Sequence, residues 1–197
     1  MTDVNSVAYW DATYERHARE GTTAITVAER MPAWQGLLPL LPGSGSLLDV
    51  GCAGGEFLHF VRQHRPRLEL WGIDHSAVAI RLQTEPSATY LCGDGVSLEL
   101  CADETFDVVY SGHFIEHVAD PTQAFASQLR VLRPDGLLIV LFPHGDGPYV
   151  EHVWSDLTLD TIAGWLSEAG FSDFGCLPLI EGSPVDQAVI TARRRSL

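Results

Sequence analysis

The sequence predicts an α/β fold: a doubly wound, Rossmann-like sheet of seven mostly parallel strands, with helices on both faces and an antiparallel C-terminal hairpin. Short, nearly continuous apolar runs alternate with helix-like segments, as expected for parallel strands that are buried on both faces. The last two apolar runs have no helix between them, which indicates a hairpin at the edge of the sheet. The 197 residues amount to about one domain.

Seven apolar runs are predicted to be strands because they are rich in Val, Ile, Leu and aromatic residues. The first five are compact, and the last two flank a turn at residues 181–184. The predicted strands are 47–50, 68–73, 89–92, 106–110, 137–142, 171–179 and 188–191.

Helix signals separate most of these strands. A helix is expected over 56–64, ending before Pro66, and Ser76, Asp120 and Thr158 are expected to cap the next three. A turn at 134–136 should lead into the fifth strand. Residues 1–43 are predicted to form a helical cap of the domain formed by 44–197, and residues 144–157 a loop over the strand ends.

Composition and charge exclude several classes of function. A formal charge of −14 argues against a nucleic-acid partner, which needs basic patches. All 12 basic residues besides histidine are arginines, so lysine Schiff-base chemistry is excluded. No signal peptide or membrane-spanning run is recognised, and the four cysteines form no Cys-x-x-Cys pair. We therefore expect a cytoplasmic protein with free thiols, no membrane partner, and a monomeric or homodimeric state.

Small residues follow the first predicted strand, and an acidic residue stands at the end of each of the first three strands. Residues 51–55 would let backbone approach a ligand and then enter a helix whose N-terminus favours anionic groups. The acids are Asp49, Asp74 and Asp94. Each could instead be a turn-former or a helix cap, and the small residues could serve packing alone. Their common position at the carboxyl ends of strands favours a nucleoside site.

The glycine spacing discriminates between two nucleoside cofactors. A dinucleotide site needs Gly-x-Gly-x-x-Gly, but Ala53 stands where the second glycine would be. The order Asp-x-Gly-x-x-Gly-Gly over 49–55, together with Gly72-Ile73-Asp74, Gly93-Asp94 and the segments 106–118 and 129–140, resembles the class I S-adenosylmethionine-dependent methyltransferases of type 11. The resemblance covers residues 47–142. It implies S-adenosyl-L-methionine as the cofactor and methyl transfer to an O or N atom of a small molecule.

The resemblance also implies roles for individual residues. Asp74 would bind the ribose, His75 and Asp94 would meet adenine, and backbone near Ser111 would bind the methionine amino group. Tyr9, Trp10 and Tyr14 resemble residues that close over the cofactor, or else they pack a terminal helix. The full set of expected cofactor residues is Asp49, Gly51, Cys52, Ala53, Gly54, Asp74, His75, Asp94, Gly95, Ser111 and Tyr14.

Four histidines are expected near the active face of the sheet. His113, directly after the fourth strand, is the first candidate for substrate contact and general base, because imidazole titrates near neutral pH. His144, after the fifth strand, is the second. His117 is the third, although its Glu-His-Val context also suits a structural helix start. His152 is expected to line the pocket or to lie in the loop.

A resemblance to the ubiquinone-biosynthesis O-methyltransferases raises the question of a metal. Those enzymes carry Glu at the position of His113, followed by the same Glu-His, which implies a divalent-metal contact. The histidine here argues against magnesium, because hard cations prefer oxygen, and we predict no metal. The alternatives to a methyltransferase are a non-catalytic S-adenosylmethionine-binding regulatory or partner module and a nicotinamide-dependent oxidoreductase.

Overall fold

The structure, a computed structural model, describes residues 5–21, 27–146, 152–181 and 186–195. The start of the predicted N-terminal cap, its segment 22–26, part of the expected loop (147–151) and most of the predicted hairpin turn (182–184) lie outside the described residues. The division of the chain into a cap and a main domain remains a prediction.

Eight strands and six α-helices are formed by the described residues. The strands are β1 (Gly45–Val50), β2 (Leu68–Asp74), β3 (Thr89–Cys92), β4 (Phe106–Gly112), β5 (Leu132–Asp146), β6 (Asp156–Leu157), β7 (Ser172–Cys176) and β8 (Asp186–Arg193). The helices are α1 (Val7–Glu20), α2 (Val27–Leu37), α3 (Glu56–His64), α4 (Ala77–Arg81), α5 (Pro121–Val131) and α6 (Leu159–Glu168).

The sheet has the order β3-β2-β1-β4-β5-β8-β7, with β6 added beside β5. Strands β1 to β5 run parallel, and β8 is antiparallel to both β5 and β7. This confirms the predicted fold class, including the antiparallel C-terminal pair. The strand order reverses between β1 and β4, and in an open α/β sheet the ligand crevice forms at such a point, beyond the carboxyl ends of the strands.

Side-chain caps explain where three of the helices begin. Ser76 Oγ accepts a hydrogen bond from the Ala79 amide (3.1 Å), and Asp120 Oδ1 accepts one from the Gln123 amide (3.0 Å). Thr158 Oγ1 accepts one from the Thr161 amide (3.2 Å). Each bond satisfies an amide that has no partner within its helix. The three predicted caps are confirmed.

The apolar core lies on both faces of the sheet, because alternate residues of each strand point to opposite sides. On one side, Leu48, Val109 and Val140 pack with residues of α5 and α6. On the other, Leu47, Val108 and Ile139 pack with residues of α2 and α3. Helices therefore cover both faces, as the sequence predicts.

Helix α2 belongs to this core. Trp34 is 1% exposed, contacts the rings of Phe57 and Phe60, and donates from Nε1 to Tyr110 Oη at 3.2 Å. Helix α1 packs elsewhere, against α4 and the loop after β1, through Tyr14. The two N-terminal helices thus have different tasks: α2 completes the interior, and α1 covers the end of the sheet.

Strand β5 differs from its predicted bounds at both ends. The turn expected at 134–136 lies within the strand, where Asp135 has φ 62° and its amide bonds to the Arg194 carbonyl at 2.9 Å. At the other end, residues 144–146 continue the strand, and Gly145 pairs with Leu157 of β6. The predicted loop therefore begins later, because β8 and β6 supply pairing partners beyond residue 142. None of the described helices is long and apolar enough to cross a membrane.

Candidate functional site

A cavity of about 400 Å³ opens at the carboxyl ends of β1 to β4. This volume is in the range of small-molecule sites. Helix α1 forms one wall and the segment after β4 forms another. Eight of the predicted site residues line it: Tyr14, Gly51, Asp74, His75, Asp94, Gly95, His113 and His117.

The turn after β1 brings backbone close to the cavity. Gly51 has φ 74°, and a Cβ there would lie 2.9 Å from Phe114 Cδ2, so only glycine fits. The amides of Gly51 and Cys52 both donate to the Ile73 carbonyl, at 2.9 and 3.1 Å. These bonds fix the turn against the end of β2, so that Gly51 and Asp74 lie at one wall of the cavity.

Asp74 is 7% exposed at the end of β2 and organises the turn. Its Oδ2 accepts from the Ala53 amide at 3.0 Å, and its Oδ1 accepts from the Ser76 amide at 2.8 Å. Burial raises the pKa of this carboxyl above its ordinary value, and the two amide bonds oppose that shift. Each carboxylate oxygen has a second lone pair, so Asp74 has acceptor capacity left for a ligand hydroxyl.

Asp94 and Gly95 form the side of the cavity beyond β3. The Asp94 carboxylate is exposed and accepts from the amides of Val96 (2.9 Å) and Ser97 (3.2 Å). A Cβ on Gly95 would lie 3.0 Å from the Phe114 ring. Phe114 thus lies close to both Gly51 and Gly95, and it gives the cavity an apolar surface between the two acids.

Six predicted site residues do not line this cavity. Asp49 is buried inside β1, Cys52, Ala53 and Gly54 are buried in the turn, and Ser111 is buried in β4, where Gln128 Nε2 donates to its hydroxyl (3.5 Å). Burial raises the pKa of the Cys52 thiol well above its ordinary value, so the thiol is protonated. His144 lies within β5, in register with Asp186. His113 and His117 line the cavity, whereas His144 does not.

His113 stands at the cavity wall beside a buried carboxylate. Its Nδ1 lies 3.1 Å from Glu116 Oε1, and Glu116 is fully buried. Burial would raise the pKa of Glu116, but the hydrogen bond and charge of His113 and the charge of His117 lower it to about 2. The Glu116 carboxylate therefore fixes the orientation of the His113 imidazole.

Residues 152–154 are joined to the turn that carries Glu116. The amides of Val153 (2.8 Å) and Trp154 (3.2 Å) both donate to the Glu116 carbonyl, and Trp154 Nε1 donates to the Val118 carbonyl (2.8 Å). These bonds bring the His152 ring against His117, with 5.0 Å between the ring centroids. Val153 itself lines the cavity.

Helix α1 covers the cavity with aromatic side chains. Trp10 and Tyr14 line it, and the Trp10 ring meets the His117 ring edge-on, with centroids 5.2 Å apart. Asp11 Oδ1 accepts from the Ser76 hydroxyl (2.5 Å) and from the Val78 amide (3.3 Å). These two bonds attach α1 to the first residues of α4, directly after Asp74.

Two residues of this site have no role in the prediction from sequence. Glu116 stands three residues after His113 and lies in the 3-10 turn Ile115–His117. Residues three apart face each other in this kind of turn. The three-residue spacing in the sequence is the signal from which the pairing of His113 and Glu116 could have been predicted. Asp11 gives no such signal, because its partners lie more than 60 residues away.

Comparisons with known proteins agree with this geometry. A family model described as "Methyltransferase domain" matches residues 48–140. An uncharacterized methyltransferase of Mycobacterium sp. (strain KMS) is 32% identical over 136 residues, which cover 66% of this chain and 50% of that protein. The phosphoethanolamine N-methyltransferase of Triticum aestivum is 30% identical over 176 residues, which cover 81% of this chain and 34% of that protein. The chain thus spans half or less of the length of these relatives.

A solved structure shows the same fold. Phosphoethanolamine N-methyltransferase 2 of Haemonchus contortus, in complex with S-adenosyl-L-methionine, has a TM-score of 0.74 and 13% identity, over 98% of this chain and 59% of that chain. At this level of identity the likeness concerns the fold alone.

Proposed function

Because residues 48–140 match a methyltransferase domain model and the chain is 32% identical to a methyltransferase over 136 residues, we propose that it transfers the methyl group of S-adenosyl-L-methionine to an oxygen or nitrogen atom of a small molecule. The observation that carries this proposal is the cavity at the strand ends. In it, Asp74 at the end of β2, Asp94 after β3 and the imidazole of His113 after β4 share one space of small-molecule size.

The residues at the β1–β3 end of the cavity fit the cofactor. When bound, S-adenosyl-L-methionine supplies a methyl group on a positively charged sulfur. Asp74 and Asp94 offer acceptor oxygens for ribose hydroxyls and the adenine amino group, and Phe114 and Ile73 offer apolar surface for the base. The carboxylates also suit a ligand that carries a positive charge.

His113 is the residue we propose as general base at the other end of the cavity. Glu116 Oε1 lies 3.1 Å from Nδ1, so Nε2 is the nitrogen left to take a proton from an acceptor hydroxyl or ammonium group. Because Nε2 is inaccessible to solvent in this structure, the transfer requires the cavity wall to move when the acceptor binds. A positioned base contributes roughly 10²–10⁴-fold to a rate. Aligning the acceptor with the methyl group contributes more, up to about 7–11 kcal/mol. Trp10 and Tyr14, on the cavity wall, would exclude water during the transfer.

A small acceptor is favoured over a macromolecule by charge and shape. The formal charge of −14 opposes nucleic-acid phosphates. The cavity is about 400 Å³ and is covered by α1. The similarity to a phosphoethanolamine N-methyltransferase supports a small nitrogen-bearing acceptor as the first class to test.

The test measures S-adenosyl-L-homocysteine release over a panel of small amines and phenols, together with calorimetric binding of S-adenosyl-L-homocysteine. We expect binding to the wild type and turnover with at least one acceptor class. In His113→Asn, turnover should fall by at least about 100-fold while binding changes less than about threefold. Asparagine is chosen because it tolerates the positive φ of 52° at this position.

His64→Asn is the matched control, because His64 lies in α3, where its Nδ1 is 2.9 Å from the Phe60 carbonyl oxygen. It should leave turnover unchanged. Absence of binding would contradict the proposal outright. If the protein binds S-adenosyl-L-homocysteine but turns over none of the acceptors, the result would support a non-catalytic cofactor-binding module. If His113→Asn loses turnover and binding equally, His113 would have a structural role and not a catalytic one.

A further inference from the structure

Three side chains beside the cavity form a cluster of metal-ligating groups. A carboxylate oxygen of Glu116 and one ring nitrogen each of His117 and His152 all lie within 4.8 Å of one another. Glu116 is buried, and the two histidines are half-buried. His152 lies outside the segment that the family model matches, so the cluster is assembled by the fold of this chain.

One carboxylate oxygen of Glu116 lacks a hydrogen-bond donor among the residues that the structure describes. Glu116 Oε1 lies 3.1 Å from His113 Nδ1, whereas Glu116 Oε2 is inaccessible to solvent and has no hydrogen-bond partner in the described part of the chain. Leaving a buried acceptor unsatisfied costs about 1–3 kcal/mol, and more for a charged group. A cation at this point would remove that cost.

The backbone holds the three ligands before any ion arrives. Glu116 and His117 are consecutive in one 3-10 turn, and residues 153 and 154 both bond to the Glu116 carbonyl. The rings of His117 and His152 are in contact, 5.0 Å apart and nearly perpendicular. Pre-organised ligands lose little conformational entropy on binding, which favours a specific site over a chance grouping.

The donor set decides which cation fits. Magnesium does not fit, because two of the three ligands are imidazoles and Mg²⁺ requires oxygen ligands. Two imidazoles and one carboxylate suit zinc and its first-row neighbours, with a further coordination position left for water or substrate.

We propose that Glu116, His117 and His152 bind a divalent cation of the zinc class beside the cavity. His117 also lines the cavity, so an ion there faces the space where the acceptor would sit. His113 then stands behind the ion, holding the Glu116 carboxylate through Oε1, as groups behind a metal ligand commonly do. The proposal does not depend on the proposed methyl transfer.

The test uses the full chain, stripped with a chelator and titrated calorimetrically with ZnCl₂ and, separately, with MgCl₂. Metal content after gel filtration gives a second readout. We expect one Zn²⁺ per chain, bound at least about 100-fold more tightly than Mg²⁺. His152→Ala should weaken zinc binding at least tenfold while the thermal melt of the metal-free protein stays within a few degrees, because His152 is half-buried.

His59→Ala is the matched control, because His59 also lies beside a carboxylate (Glu85, 3.3 Å) but on the outer side of α3. It should bind zinc like the wild type. Equal zinc affinity in His152→Ala and wild type, equal affinities for zinc and magnesium, or no zinc binding would each overturn the proposal. Binding of S-adenosyl-L-homocysteine to His152→Ala, measured in parallel, tests the proposed function separately.

Discussion

Asp74 serves the turn and the cavity with the same carboxylate. Its two oxygens accept the amides of Ala53 and Ser76, and they lie at the cavity wall at the end of β2. Removing the side chain would leave two amides without acceptors. Asparagine, which has the same shape, retains one oxygen acceptor and places its NH2 group against the other amide. The thermal melt of the variant is therefore measured beside ligand binding, so that a loss of folding is distinguished from a loss of the ligand contact.

We predict that Asp74→Asn weakens binding of S-adenosyl-L-homocysteine by about 1.5–3 kcal/mol, the scale of a hydrogen bond to a charged group, or roughly 10- to 150-fold. Isothermal titration calorimetry measures this loss. Asp160→Asn, at an exposed position in the first turn of α6, is the control and should bind normally. An unchanged affinity in Asp74→Asn would remove this residue from the proposed ribose contact.

His113 illustrates how much a residue's role depends on its neighbour. The sequence places it directly after β4 and makes it the first candidate base. The structure adds the buried Glu116, whose Oε1 lies 3.1 Å from His113 Nδ1 and orients the imidazole. It also shows that His144 is part of β5. Burial is the property that makes Glu116 effective, and burial of one acid among exposed ones cannot be read from the sequence.

At the scale of elements, one side chain adds polar bonds to the apolar packing that holds α1 over the cavity. The Asp11 carboxylate accepts from the Ser76 hydroxyl and the Val78 amide, at the N-terminus of α4. Helix N-termini attract negative charge, so Asp11 acts as an additional cap supplied by another helix. The same helix carries Trp10 and Tyr14 to the cavity.

We predict that Asp11→Ala loosens α1 without unfolding the sheet. Amide hydrogen exchange over Val7–Glu20 should speed up by roughly 5- to 30-fold, the equivalent of about 1–2 kcal/mol for a lost cap. Exchange in β1 and β4 should not change. Glu15→Ala, an exposed position on the same helix, provides the comparison, and faster exchange in both variants would mean that the Asp11 contact does not hold α1.

At the scale of the whole molecule, one carboxylate joins three neighbouring strands. Asp107 Oδ2 in β4 accepts from the Ser46 amide in β1 (2.7 Å) and from Arg133 Nη1 in β5 (2.7 Å). Burial alone would raise the pKa of Asp107, but these bonds and the Arg133 charge lower it below its ordinary value. The stabilisation is therefore complete above the pKa of the unfolded chain and is lost as the pH falls through the lower, folded pKa.

We predict that Asp107→Asn lowers the free energy of unfolding most near neutral pH, and that its difference from wild type shrinks below about pH 4. Urea unfolding over a pH series measures both proteins. Asp103→Asn breaks a more exposed ion pair with Arg130 and should change stability by less than about 1 kcal/mol. A difference between Asp107→Asn and wild type that stayed constant down to acidic pH would contradict the assigned cause.

The sequence by itself determined the alternation of strands and helices, the three caps and the antiparallel end of the sheet, because these follow from local hydrophobic period and hydrogen-bonding side chains. It also placed Gly51, Asp74, Asp94 and His113 at strand ends, which a parallel sheet must bring to one edge. Only the tertiary structure decided the length of β5, the place of α2 in the core, and the joining of residues 152–154 to Glu116. These features depend on burial and on contacts between segments that are far apart in the sequence. Such contacts form only when the chain folds, and they leave no periodic pattern in the sequence.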